Sequence, residues 1–190
     1  MSANTANTKT TPRKLLALCC SPRRDGACAA METAFLEGLD KQISIARYSA
    51  YHMEPIPCDD CRDCLRHDRC KYSDLDGFFA AFQEADIFLI VTPVYNMSLP
   101  APAKAVTDRF QRYYNAWKAG RNPPKPKRTV LLTASGSGET DGALHIAKMF
   151  RRLFTVMNTG LAACFDMFET DTVPVDLAVL EDIRRFAETL

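Results

Sequence analysis

The 190-residue sequence lacks any excess of charge, since 24 Lys and Arg stand against 23 Asp and Glu for a formal net charge of +1. A chain this balanced has no overall electrostatic field that would hold nucleic acid or an anionic membrane. Long apolar runs are absent too: residues 87–91 form the longest after the first strand, far short of the roughly 18 residues that span a bilayer. We therefore expect a cytoplasmic protein without nucleic-acid or membrane partners.

Two common nucleotide-binding signatures are also missing. No Gly-x-Gly-x-x-Gly and no Walker A pattern occurs in the chain. Their absence argues against a conventional dinucleotide fold and against a P-loop ATPase. A nucleotide bound here must be recognised by other means.

The composition is that of a globular protein, with 47% hydrophobic residues and a length suited to one domain. Residues 1–13 are mostly small and polar, and we predict a disordered tail there. Residues 14–190 are predicted to form a single domain.

Apolar runs that alternate with helical patterns predict an open, doubly wound α/β sheet. Residues 87–91 show no polar alternation, as expected for a central parallel strand buried on both faces. Ser73 is placed as a helix cap. Ligands of such sheets bind beyond the carboxyl ends of the strands. The predicted strands are 15–19, 43–47, 87–91, 128–133 and 161–168, and the predicted helices are 27–39, 74–83, 101–117, 143–157 and 176–189.

Four of the eight cysteines fall within thirteen residues, in the order Cys58-x2-Cys61-x2-Cys64-x5-Cys70. Thiolates this close along one loop can converge on one metal centre, and four cysteine sulfurs are the usual ligands of a 4Fe-4S cluster. The long last gap and the lack of a following proline differ from a ferredoxin run. The spacing favours a one-cluster pocket, with structural zinc as the main alternative and free thiols or disulfides behind it.

The loop after the first predicted strand carries a signal for anion binding. Ser21 supplies a hydroxyl, Arg23 supplies a guanidinium, and the amides of Gly26, Ala27 and Cys28 open a helix. Unpaired amide N–H groups and the helix dipole both favour a phosphate at such a position. The alternative is an ordinary turn stiffened by proline.

Three segments, in this order along the chain, resemble the flavodoxin-like NAD(P)H-dependent FMN reductases and, within them, the iron-sulfur flavoproteins. They are Cys20-Ser21-Pro22-Arg23 after strand one, the four-cysteine loop, and residues 92–100 after strand three. The resemblance covers nearly all of residues 14–190. It implies a three-layer α/β/α fold with strand order 2-1-3-4-5 and a bound FMN.

The resemblance also implies where the flavin lies. Family members usually carry Gly-Asn-Thr or Gly-Asn-Ser where this chain has Gly26-Ala27-Cys28. Because a thiol replaces those phosphate partners poorly, we expect weaker FMN binding unless Arg24 compensates. The implied contacts are the phosphate with Ser21, Arg23 and the loop that follows, one side of the ring with Pro93, Val94, Tyr95 and Asn96, and its other side with Ser135 and Gly136.

The leading hypothesis is an FMN-dependent redox protein of the iron-sulfur flavoprotein type. It would transfer electrons between a 4Fe-4S cluster and FMN and on to a redox partner or small acceptor, without a catalytic side chain. NAD(P)H is the expected donor, and the resemblance implies at least a homodimer with the flavin near the subunit boundary. Two alternatives stay open: an NAD(P)H-dependent FMN or quinone reductase without a cluster, and a zinc-stapled or electron-transfer scaffold that is not an enzyme.

Other candidate residues carry weaker signals. His145 and Trp117 are expected to have packing roles and not catalytic ones. His67 lies inside the cysteine loop and is expected to donate to a cluster sulfur rather than to ligate a metal. Cys19 and Cys164 fall in predicted strands and are expected to be buried.

Overall fold

The computed structural model describes residues 12–190. The predicted disordered tail therefore lies outside the described residues, except for its last two positions. The strands are β1 (Lys14–Cys19), β2 (Ser44–Ser49), β3 (Ile87–Pro93), β4 (Lys127–Ala134) and β5 (Thr159–Met167), and the helices are α1 (Ala27–Gly38), α2 (Asp63–Arg66), α3 (Asp76–Glu84), α4 (Ala101–Arg109), α5 (Gln111–Lys118), α6 (Asp141–Phe154) and α7 (Leu177–Glu188).

All five strands pair in parallel in the order β2-β1-β3-β4-β5, which confirms the predicted doubly wound sheet. Helices cover both faces, and alternate residues of β3 point to opposite layers. Phe88 and Ile90 pack with α3, α4, α5 and α6, whereas Leu89 and Val91 pack with α1 and α7. The lack of polar alternation in β3 follows from this two-sided burial.

Six aromatic rings form the core of the layer that contains α3 to α6. The ring centroid of Phe82 lies 5.0 Å from that of Phe110 and 5.2 Å from that of Phe88, both in edge-to-face geometry. The ring centroids of Phe79 and Phe110 are 5.3 Å apart. Pairs of this kind each stabilise a core by about 0.5 to 1.5 kcal/mol beyond their burial. Phe110 thus occupies the centre of the aromatic cluster.

The single helix predicted over 101–117 is interrupted at Phe110. Its amide donates to Thr107 O at 3.1 Å and its carbonyl accepts from Tyr113 N at 2.9 Å, so the chain tightens there into i to i+3 bonds. No glycine or proline marks the position, and the buried Phe110 ring packs there against Phe82 and Phe88.

Other differences from the predicted elements are local. Ser73 does not cap the second predicted helix, because α3 begins later, at Asp76, with no side-chain cap on Leu75. Strand β2 runs to Ser49, two residues past its predicted end, since its pairing with β1 continues to Cys19. The one-turn helix α2 inside the cysteine loop was not predicted.

Helices α1 and α7 approach each other so closely at Gly38 that only glycine fits. A Cβ there would lie 2.3 Å from Arg184 O and 3.0 Å from the Ala187 Cβ. Gly38→Ala should therefore lower the free energy of unfolding by about 1 to 3 kcal/mol, measured by urea titration. Gly160→Ala is the control, because no described atom lies within 4 Å of its Cβ position. Equal stability of the two variants would contradict this packing.

Candidate functional site

An open pocket of about 320 Å³ lies beyond the carboxyl ends of β1, β3 and β4. Ten of the eleven predicted flavin contacts line this one pocket. The eleventh, Ser135, is buried between Ala134 and Gly136, which both line the pocket. The predicted lining residues are Ser21, Arg23, Gly26, Ala27, Cys28, Pro93, Val94, Tyr95, Asn96 and Gly136.

At one end of the pocket, helix α1 begins without a side-chain cap. Its N-cap, Gly26, is extended and has no side chain to accept from the first-turn amides, and the first turn contains no acidic residue. The unpaired amides and the positive end of the helix dipole suit an anion. Arg23 N donates to Ser21 Oγ at 3.2 Å, which orders the loop that leads into the helix. These residues fit a phosphate group.

The thiols beside this helix start are neutral. Burial raises the pKa of the Cys28 thiol to about 12 and raises the pKa of Cys20 well above its usual range. Neither sulfur therefore places a negative charge next to a bound phosphate at neutral pH. Cys19 and Cys164, expected to be buried, are only half-buried.

At the other end, a tight turn brings Tyr95 to the pocket. Tyr95 N donates to Ser98 O and Ser98 N donates to Tyr95 O, both at 2.9 Å. The two central residues, Asn96 and Met97, have φ of 48° and 65° in the left-handed region. For non-glycine residues that conformation costs roughly 1 to 2 kcal/mol each, and such strain is found preferentially at functional sites. A partly exposed phenol ring and a carboxamide side chain suit the edge of a planar heterocycle.

The third wall of the pocket includes Thr170 and Asp171, which the sequence analysis missed. Ser135 holds their loop in place, because its carbonyl accepts from Thr170 N at 3.0 Å and its amide donates to Met167 O at 2.8 Å. Gly136 allows the close approach, since a Cβ there would lie 2.2 Å from an Asp171 carboxylate oxygen. The order of the strands could have indicated these residues, because their loop follows β5, the neighbour of β4 in the sheet.

The four loop cysteines line a separate cavity of about 20 Å³ beside α5. Asn115 Nδ2 donates to Cys64 Sγ at 3.1 Å, and all eight cysteines of the chain are free thiols. Across residues 12–190, no three His, Cys, Asp or Glu side chains are placed to hold a metal ion. Four cysteine thiols are suitable ligands for a cluster. The cavity that they line is too small for one, because about 20 Å³ is roughly the space of one water molecule.

Arg109 holds the two ends of the cysteine loop together. Its side chain is 1% exposed and pairs with Asp74 at 3.0 Å, while its Nη atoms also donate to Ile56 O at 2.8 Å and Tyr72 O at 3.0 Å. Arg121 donates to the carbonyl oxygens of Cys64 and Leu65 within the loop. The side chains of Arg109 and Arg121 therefore order the loop.

The weaker predictions have mixed outcomes. Trp117 is 65% exposed with its ring centroid 5.8 Å from that of Tyr114, and His145 is exposed. His67 faces Asp63, with 3.7 Å between Nε2 and Oδ1, rather than a cysteine sulfur. Arg24 lines a neighbouring pocket instead of the one with the predicted flavin contacts.

An uncapped helix start after β1 and a strained turn after β3, facing one pocket at the edge of a 2-1-3-4-5 sheet, define a flavodoxin-like α/β protein. The model of the family described as NADPH-dependent FMN reductase matches residues 13–165. The chain belongs to this family and is a flavin-dependent oxidoreductase.

Individual relatives agree with this assignment. The chain is 28% identical over 142 residues to an FMN-dependent NADH:quinone oxidoreductase of Stenotrophomonas maltophilia (strain K279a), covering 72% of this chain and 70% of the relative. It is 37% identical over 54 residues to an iron-sulfur flavoprotein of Archaeoglobus fulgidus, covering 28% of each. The crystal structure of an azoreductase from Bacillus anthracis str. Sterne superposes with a TM-score of 0.70 at 14% identity, covering 94% of this chain and all of that one. Among residues 12–190, none of the helices combines the length and apolar character of a membrane span.

Removing Arg109 should disrupt the cysteine loop. Arg109→Ala leaves the largely buried Asp74 without its cation, so we expect a loss of about 3 to 5 kcal/mol in unfolding free energy and faster proteolysis within residues 57–71. Arg69→Ala is the matched control, because Arg69 is an exposed cation of the same loop with no side-chain partner among residues 12–190. If both variants unfold at the same urea concentration, Arg109 does not anchor the loop.

Proposed function

We propose that the protein is an FMN-dependent NAD(P)H:quinone reductase. The observation that carries the proposal is the single pocket that joins a phosphate-type helix start to the Tyr95 turn, lined by the residues predicted for FMN. The family assignment and the relative from Stenotrophomonas maltophilia, named as an FMN-dependent NADH:quinone oxidoreductase, support the cofactor and the substrate class.

In this function the protein positions the reactants. Arg23 and the first-turn amides of α1 bind the phosphate, while Tyr95 and Asn96 orient one edge of the ring. A bound FMN would supply the two-electron redox chemistry that links the nicotinamide donor to the acceptor. The balance is NAD(P)H, a proton and a quinone giving NAD(P)⁺ and a hydroquinone, and no side chain is assigned a catalytic proton transfer.

The proposal includes a homodimer that covers the rim of the pocket. Met97 is 51% exposed and Leu144 is 50% exposed, and both line a shallow depression that adjoins the flavin pocket through Asn96. Exposed large apolar side chains grouped at a pocket rim are typical of protein interfaces. A reducing cytoplasm, in which the eight thiols remain free, completes the proposal.

A second candidate function is that of an iron-sulfur flavoprotein. One observation favours it: all four loop cysteines line one cavity, where Asn115 donates to the Cys64 sulfur as donors to ligating thiolates do. The relative from Archaeoglobus fulgidus supports it over a short segment only. A cluster would require the loop to open around it, so the reductase without a cluster is preferred.

Arg23→Ala should weaken FMN binding by about 1.5 to 3 kcal/mol, because a charge-assisted bond to the phosphate is lost. Fluorescence titration of the apoprotein with FMN measures the dissociation constant. Arg128→Ala is the control, since it removes an exposed cation at the opposite end of the sheet. Unchanged FMN affinity would remove Arg23 from the site, and an FMN-loaded protein that fails to oxidise NAD(P)H with benzoquinone would overturn the reductase assignment.

Anaerobic metal analysis separates the two candidates. For the preferred reductase we expect well below one iron per chain, and Cys61→Ser should retain FMN and quinone turnover within about twofold, as surface changes distant from a site usually do. About four iron and four sulfide per chain, lost in Cys61→Ser but kept in the control Cys164→Ser, would instead establish the iron-sulfur flavoprotein. Stoichiometric zinc without turnover would indicate a scaffold.

A further inference from the structure

A second pocket, of about 410 Å³, lies on the other side of the phosphate loop, between α1 and the carboxyl end of β2. Ser21 and Arg23 line both pockets and form the wall between them. None of the residues lining this second pocket was predicted to bind a ligand there. Its position places any occupant next to the phosphate end of the proposed FMN site.

The second pocket carries surplus positive charge. Three guanidinium groups line it, those of Arg23, Arg24 and Arg47, and Glu32 is the single carboxylate in its wall. Within residues 12–190, neither Arg23 nor Arg24 pairs with a carboxylate, and Arg24 donates only to His52 Nε2 at 3.3 Å. An anionic ligand would meet cations that the folded chain itself leaves uncompensated.

Buried Glu32 orients Arg47 within this pocket. The Glu32 side chain is 4% exposed, and its Oε1 accepts from Arg47 Nε at 3.0 Å. That bond uses one of the five guanidinium donors of Arg47, and its terminal Nη groups have no partner among residues 12–190. Because Glu32 already holds the Arg47 guanidinium through Nε, the side chain loses less conformational freedom when its Nη groups bind a phosphate.

We propose that this pocket binds the adenosine 2′-phosphate end of NADPH, with Arg24 and the free Nη groups of Arg47 as the phosphate ligands. The inference rests on the proposed reductase function, which requires a nicotinamide nucleotide beside the flavin. A dianionic phosphate matches paired guanidinium forks. The volume of about 410 Å³ exceeds what a phosphate alone needs, and Tyr51 and His52 supply flat surfaces for the attached nucleoside.

The consequence of this site is a preference for NADPH over NADH, because the two nucleotides differ only in that phosphate. The alternative assignment, that this pocket takes the phosphate of FMN, is less consistent with the structure. The uncapped start of α1 lines the other pocket, together with the predicted contacts of the flavin ring.

Fragment binding to the FMN-loaded protein tests the assignment, with the flavin site already filled. Calorimetric titration should show adenosine 2′,5′-bisphosphate binding at least about tenfold more tightly than adenosine 5′-monophosphate. Arg24→Gln should remove about tenfold or more of the affinity for the bisphosphate and leave the monophosphate within about twofold. Arg128→Gln, which makes the same charge change at the amino end of β4, should match the wild type for both fragments.

Equal affinity of the wild type for the two fragments would overturn the inference, and so would an Arg24→Gln variant that binds the bisphosphate as the wild type does. Inorganic phosphate that competes as well as the bisphosphate would overturn the adenosine assignment. Since fragment binding requires no turnover, bisphosphate selectivity without quinone reduction would leave this site intact and overturn only the reductase. In steady state, Arg24→Gln should raise the KM for NADPH about tenfold with kcat and the KM for NADH unchanged.

Discussion

The parallel pairing of β1 with β3, from Leu15 with Ile87 to Cys19 with Val91, is the constraint on which the site depends. Because parallel strands end at the same edge, their following loops meet there. Backbone bonds continue the ladder beyond the strands: Cys20 N donates to Val91 O, Val94 N to Ala134 O and Ser135 N to Met167 O, each at 2.8 Å. Backbone hydrogen bonds therefore fix the starts of three loops from distant parts of the chain relative to one another.

Most of this arrangement could be predicted from sequence, because continuous apolar runs and helical periodicity report burial directly. The grouping of ten predicted site residues around one pocket was anticipated too, because the family resemblance places them in the segments that follow β1, β3 and β4. Contacts between segments distant in sequence could not be predicted. The break at Phe110 lies among rings contributed by α3 and β3, and the roles of Thr170 and Asp171 depend on a hydrogen bond to Ser135. Arg24 shows the same limit, because it lines the second pocket and not the one with the predicted flavin contacts.

The cysteine loop shows how a strong motif can be separated from its usual chemistry. Its spacing is suited to a cluster, yet Arg109, Asp74 and Arg121 hold the segment through ordinary hydrogen bonds and ion pairs. These bonds anchor the loop at its ends and at Cys64 and Leu65 through groups other than the thiols. Cysteine spacing alone therefore identifies a set of possible ligands and not the group that they bind.

Arg23 lines both the flavin pocket and the adjacent cationic pocket, and a charge shared between two anion sites couples them. Filling either pocket with an anion uses part of the positive potential available to the other, so each occupant lowers the affinity for its neighbour by the same factor. On the proposed assignment, a nucleotide that enters beside a flavin phosphate meets this electrostatic opposition, and the fold provides it without any moving part.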